Sequence, residues 1–119
     1  MAKISVIDDS KATLDMISDI LQKGGHGVTS FSDPNAVEEK LAENKPDLVL
    51  LDVVMPERNG YEILRALKRN PETKSIPVIL VSSKAEETDI RWGLRQGAVD
   101  YVTKPFTPQQ LMQAVGSQL

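Results

Sequence analysis

Two stretches of the chain are apolar at nearly every position. The first, Leu48-Val49-Leu50-Leu51, runs without interruption into Asp52 and resumes with Val53-Val54-Met55-Pro56. The second is Ile76-Pro77-Val78-Ile79-Leu80-Val81, which ends in Ser82-Ser83-Lys84. Runs of this length with no polar alternation predict strands buried on both faces, the habit of central parallel strands covered by helices. Pro77 is tolerable only near the start of such a strand. Three shorter segments complete the strand set: Lys3-Ile4-Ser5-Val6-Ile7 before Asp8-Asp9-Ser10, residues 28–31, and residues 99–103 running into Lys104-Pro105.

Between the strands the apolar period lengthens to three and four. Leu14, Ile17 and Leu21 mark a helix begun by Ser10 as N-cap and ended at Gly24-Gly25 by a left-handed cap. Asp33-Pro34 predicts the N-cap and first turn of a second helix, with Val37 and Leu41 inward, broken by Asn44-Lys45-Pro46. Gly60, Ile63, Leu64 and Leu67 form the inner face of a third helix, which follows the turn Glu57-Arg58-Asn59-Gly60 and ends before Asn70-Pro71. A fourth helix is expected over 86–96, closed by Gly97, with Ile90 and Leu94 toward the core and Trp92 either an exposed anchor or packed along the helix edge. Thr107-Pro108 caps a fifth, carrying Leu111, Met112 and Val115. Five strands alternating with five helices predict an α/β fold, a parallel sheet wrapped on both faces. His26, in the glycine turn, is expected at the surface, and Phe31 and Tyr61 in packing.

Composition narrows the picture further. A chain of 119 residues, 40% hydrophobic, suits a single domain with a real core and no second one. It holds no cysteine, so neither disulfides nor thiolate metal sites arise. The opening apolar run is too short for a signal core, and no run nears the roughly 18 residues of a membrane span, so the expectation is a cytoplasmic protein with no membrane insertion. A net charge of -3 argues against a nucleic-acid binder and toward protein partners.

In open α/β sheets ligands bind at the carboxyl ends of the strands. There this chain places Asp8 and Asp9 after the first strand, Asp52 after the third, Ser82 after the fourth and Lys104 after the fifth. Asp8 and Asp9 alone would be no more than a helix-capping pair favoured by the dipole. Together with Asp52 they are carboxylates close enough to repel unless a cation sits among them, which predicts a hard divalent ion with oxygen ligands, Mg2+. With the ion bound, an ionised Asp52 is placed to attack phosphorus, while Lys104 offsets charge on the transferring oxygens and Ser82 offers a hydroxyl.

These residues, with Met55-Pro56, Gly60 and Lys104-Pro105-Phe106, resemble the receiver domains of two-component response regulators in order and over nearly the whole chain. The resemblance implies a flavodoxin-like, doubly wound fold with strand order 2-1-3-4-5. It also implies Asp52 as phosphoacceptor from a histidine kinase, and Mg2+ held by Asp8, Asp9, Asp52 and the backbone carbonyl of Val54. It further implies a switch in which Ser82 moves to the phosphate and the ring of Tyr101 swings inward, a cis peptide before Pro105, and an output protein bound through the face of helix 4, strand 5 and helix 5. With no output module following, the chain resembles single-domain regulators of the chemotaxis type that assist their own phosphotransfer and dephosphorylation rather than acting as enzymes. The stretch Arg91-Trp92-Gly93-Leu94-Arg95-Gln96-Gly97-Ala98 and the Ser83-Lys84 pair look closer to twitching-motility receivers than to flagellar ones. Ser83 stands where alanine is common in the family, and Val54 puts no polar side chain beside the phosphate.

Two other classes are weighed beside this one. A magnesium phosphohydrolase with an aspartyl nucleophile would want an acid two residues past it, where Val54 stands. A nucleotide or flavin binder would want a glycine-rich phosphate loop, and the acidic rim carries none.

Overall fold

The long apolar runs become two of the three inner strands of a five-stranded parallel sheet in the computed structural model, which describes residues 2–119. In chain order the elements are β1 (Lys3–Ile7), α1 (Lys11–Lys23), β2 (Gly27–Phe31), α2 (Val37–Asn44), β3 (Leu48–Leu51), α3 (Gly60–Arg69), β4 (Val78–Ser82), α4 (Glu87–Arg95), β5 (Asp100–Thr103) and α5 (Pro108–Gly116). The sheet order is β2-β1-β3-β4-β5, the flavodoxin-like topology, with β2 and β5 at the edges.

Strand alternation divides the core into two layers. Val49, Leu51, Val78 and Leu80 point to the face covered by α2 and α3, where they meet Val37, Leu41, Ile63, Leu64 and Leu67. Leu48, Leu50, Ile79 and Val81 point to the opposite face, against Leu14, Ile17 and Leu21 of α1 and Leu111 and Val115 of α5. Every residue of β3 and β4 is buried, which is why these strands show no polar alternation. Each such side chain contributes about 1.5–3 kcal/mol by leaving water. The result is a rigid floor that ends at Asp52.

Local signals explain most boundaries. Ser10 caps α1 by accepting from the Thr13 amide at 3.3 Å, and Gly25 takes the left-handed φ of 89° just beyond the helix. Thr107 and Gln110 form a reciprocal capping box at α5, at 3.1 and 2.9 Å.

Several expectations shift. α2 begins at Val37, not at Asp33-Pro34: the Asp33 carboxylate accepts from the Asn35 amide at 2.9 Å, closing a turn of its own, and Ala36 sits at φ 58°, outside any right-handed helix. β4 starts two residues later than expected, after Pro77, and takes in Ser82; β5 starts at Asp100, leaving Val99 exposed. On α4 the contact line runs through Ile90 and Gly93, and Leu94 is 43% exposed. The glycine is the cause, because a Cβ there would lie 2.7 Å from Leu80 Cδ1 and 3.1 Å from the Tyr101 ring, so the helix rests on the sheet at that point. Trp92 is 49% exposed. His26 is half-buried rather than on the surface, since its Nδ1 accepts from the Ala2 amide at 3.1 Å, at the end of the sheet away from the acidic rim. Phe31 and Tyr61 pack in the core layer of α2 and α3.

Candidate functional site

The sheet continues its hydrogen bonding one residue past the strands, and this places the rim residues. The Asp8 amide donates to the Phe31 carbonyl (3.1 Å), the Asp52 amide to the Ile7 carbonyl (2.9 Å), and the Lys104 amide to the Ser82 carbonyl (2.8 Å). Three loops that share no sequence proximity are thereby fixed to one end of one sheet. Asp8 and Asp52 are 2% and 6% exposed, while Asp9 is open to solvent.

Carboxylate oxygens of Asp8, Asp9 and Asp52 lie within 4.8 Å of one another. Lys104 Nζ reaches between two of them, donating to Asp8 Oδ2 at 2.8 Å and standing 3.7 Å from Asp52 Oδ1. The other Asp8 oxygen accepts from the Ser10 amide at 2.9 Å. Asp52 pays electrostatically for its position. Burial, and then the Asp8 carboxylate beside it, raise its pKa from 3.8 to about 6, against the smaller opposing pull of Lys104 and of the Val53 and Val54 amides. One ammonium does not balance three carboxylates. The donor set is all hard oxygen, with an exposed member through which a hydrated ion can enter, and this fits Mg2+ better than any softer metal.

Gly60 holds Asp52 from below. Its amide donates to the Val53 carbonyl at 2.8 Å, and a Cβ at this position would fall 2.1 Å from the Asp52 carbonyl oxygen and 2.9 Å from Val53 Cα. Only glycine lets α3 start against the backbone of Asp52. Asn59 caps that helix, its Oδ1 accepting from the Tyr61 amide at 2.7 Å.

Ser82 is fully buried at the end of β4, and its Oγ accepts from the Lys84 amide at 3.1 Å. The Tyr101 ring lies inward, and its hydroxyl donates to the Lys84 carbonyl at 2.7 Å. Both side chains therefore grip the main chain of one residue, a link with no signature in the sequence. The Lys104-Pro105 peptide is cis. The Val54 side chain is 53% exposed at the mouth of the site. Trp92, on α4, stands apart from the acidic cluster.

The family model described as response regulator receiver domain matches residues 4–116. The chain belongs to this family. This receiver is 40% identical over 119 residues to the protein PilH of Pseudomonas aeruginosa, covering 100% of this chain and 98% of that one. Among solved structures it is similar to the chemotaxis protein CheY4 of Vibrio cholerae, at 28% identity and TM-score 0.92 over 100% of this chain and 99% of that one. It is also similar to the BeF3-activated receiver domain of RstA from Klebsiella pneumoniae, at 28% identity and TM-score 0.89 over 98% and 97% of the two chains. Receiver domains are signalling modules of two-component systems rather than conventional enzymes. Among the described residues no helix of this receiver is long and apolar enough to cross a membrane.

Sequence reasoning passed over the residues that brace the loop after Asp52. Arg58 donates to both oxygens of Glu38 at 2.6 Å, and Asn35 Nδ2 donates to Glu57 Oε2 at 2.6 Å. Pairs separated by 20 and 22 positions, joining one loop to the first turn of α2 and the turn before it, carry no periodicity that would reveal them.

Proposed function

We propose that this receiver is a single-domain cytoplasmic response regulator that accepts a phosphoryl group on Asp52 from a histidine kinase. The observation that carries this reading is the Asp52 carboxylate itself, 6% exposed, 3.7 Å from Lys104 and within one cluster with Asp8 and Asp9.

An Asp52 oxygen attacks the phosphorus of a phosphoimidazole. The new O–P bond forms as the P–N bond breaks, the electron pair of that bond stays on the imidazole nitrogen, and a proton from solvent completes the neutral imidazole. Asp8, Asp9, Asp52 and the Val54 carbonyl are the groups that would hold Mg2+, which when bound supplies charge neutralisation for the phosphoryl oxygens. Lys104 is already beside the acceptor and turns its ammonium from Asp8 to the new phosphoryl group. Ser82 turns its hydroxyl from the Lys84 amide to a phosphoryl oxygen. That movement releases one end of the Lys84 backbone whose other end Tyr101 holds, and so reaches the face formed by α4, β5 and α5. The phosphoryl group adds about -1.5 to -2 charges, and an output protein that reads the altered face completes the signal. Hydrolysis of the acyl phosphate within the same site resets it. The 40% identity to PilH and the stretch around Trp92 support a role in motility of the twitching type, with Trp92 as a contact for a partner.

Position 54 offers no acid for a turnover cycle, which sets the phosphohydrolase reading aside. The test is incubation with MgCl2 and a small acyl or amido phosphate, followed by intact-mass analysis. Wild type gains one phosphoryl group and Asp52→Asn gains none. An unmodified wild type, or equal modification of Asp52→Asn, removes the proposal.

A further inference from the structure

The loop of residues 53–59, between Asp52 and α3, is held at two places. Its α3 end is pinned by Gly60 against Asp52 and Val53. Its crest is pinned sideways, to α2 and the turn that precedes it. Arg58 donates from Nη1 and Nη2 to the two oxygens of Glu38 at 2.6 Å each, and from Nη1 to the Pro34 carbonyl at 3.2 Å. Asn35 Nδ2 adds its bond to Glu57. The two loops so joined wall an open cleft of ≈ 160 Å³ lined by Asp9, Ser32, Asp33, Pro34, Pro56 and Glu57. The cleft thus runs from Glu57, which Asn35 holds, to Asp9 of the carboxylate cluster.

The pair is built for geometry rather than for net charge. The guanidinium fork matches the carboxylate with two parallel bonds, the arrangement in which arginine is not replaceable by lysine. Side chains that are 22% and 25% exposed shield it in part from water, and the neighbouring guanidinium holds the Glu38 pKa below its ordinary value. The hydrogen bonds of Arg58 go to α2 and its lead-in, not to the acidic cluster.

We propose that Arg58 and Glu38 are positioning residues for the acceptor site. By locking the loop of residues 53–59 to α2 they hold the Val54 carbonyl where Mg2+ binding requires it. The inference rests on the Mg2+-assisted acceptor reading given above.

The test is titration of the full-length protein with MgCl2 by calorimetry, for wild type, Arg58→Met, Arg58→Lys, Glu38→Gln, the double variant Arg58→Met/Glu38→Gln, and Asp52→Asn. Opening the latch from either side weakens Mg2+ binding by a similar factor, about 3- to 10-fold, toward the range found for groups that orient metal ligands. The double variant is no worse than either single one, because both break the same contact. Arg58→Lys, which keeps the charge without the fork, falls between wild type and Arg58→Met. Action through charge alone gives opposite signs, with Arg58→Met tightening Mg2+ binding and Glu38→Gln weakening it; that pattern, or unchanged affinity in every brace variant, overturns the proposal. Circular dichroism checks folding, and Glu38→Gln and Arg58→Lys, nearly isosteric with the native residues, decide the matter if Arg58→Met does not fold. Mg2+ binding that Asp52→Asn weakens and the brace variants do not sinks only the positioning role. Absence of Mg2+ binding in the wild type sinks the acceptor reading with it.

Discussion

Replacing Asp52 by asparagine removes one negative charge from the rim at nearly constant volume, and the pKa of the Asp52 carboxyl sets what this does to stability. In the fold Asp52 titrates near about 6 instead of 3.8. An acid whose folded pKa lies above its unfolded value stabilises the fold when protonated, and that contribution is lost as pH rises through the folded pKa. Relative to Asp52→Asn, the wild type thus weakens between about pH 4 and about pH 7, and the gap is level on either side. At about 1.4 kcal/mol per pKa unit, the rise to about 6, which already includes the pull of Lys104, makes the variant more stable by about 1–3 kcal/mol at neutral pH. At roughly 3–5 °C per kcal/mol for a chain of this size, the variant melts several degrees higher at neutral pH. The assay is urea unfolding in EDTA across that pH range, read from Trp92, the only tryptophan. Adding MgCl2 near neutral pH narrows the gap, because the ion binds the folded wild type. A variant-minus-wild-type difference that stays flat across the range, or a wild type more stable than Asp52→Asn in EDTA at neutral pH, would refute the reasoning.

Two glycines supply further tests. Gly60→Ala drives a methyl into the Asp52 carbonyl, 2.1 Å away on a backbone that cannot yield; urea unfolding should show a loss of about 2–3 kcal/mol, and a change below about 0.5 kcal/mol contradicts the close approach. Gly93→Ala sets two effects against each other, a helix-propensity gain of up to about 1 kcal/mol and a clash with Leu80 and Tyr101 costing about 1–3 kcal/mol. The clash should win, with the Tyr101 ring displaced outward in NMR spectra; a stabilised variant with an unmoved ring means that the glycine is not a seat for Tyr101. Tyr101→Phe keeps the ring and removes the bond to the Lys84 carbonyl, for a loss of about 1 kcal/mol on thermal or urea unfolding; an unchanged midpoint contradicts that bond.

The legible part of this chain was the part governed by short-range pattern. Unbroken apolar runs at 48–51 and 78–81 specify buried parallel strands, and polar residues at the carboxyl ends of parallel strands share one end of the sheet, so strand pattern alone brings Asp8, Asp52, Ser82 and Lys104 together. What escaped depends on tertiary contact. The Asp33-Pro34 pair carries every local mark of a helix start, but its carboxylate is used within its own turn and the Pro34 carbonyl bonds to Arg58. The inner face of α4 was misread by one position because a glycine shows no hydrophobicity, yet here its lack of a side chain makes the contact. Neither the Arg58–Glu38 pair nor the shared grip of Ser82 and Tyr101 on Lys84 leaves a trace in residue spacing.

The single buried residue of α4 is Gly93, which has no side chain to bury, and Ile90 is only partly covered. By contrast α3 sinks five residues into the core. Sliding or tilting α4 consequently exposes little oily surface, whereas doing the same to α3 would open the interior. A covalent event of modest driving force can afford to disturb only a lightly anchored segment, and among the described helices the one that carries Trp92 buries the fewest residues, so it is the cheapest of them to rearrange while the floor beneath Asp52 stays put.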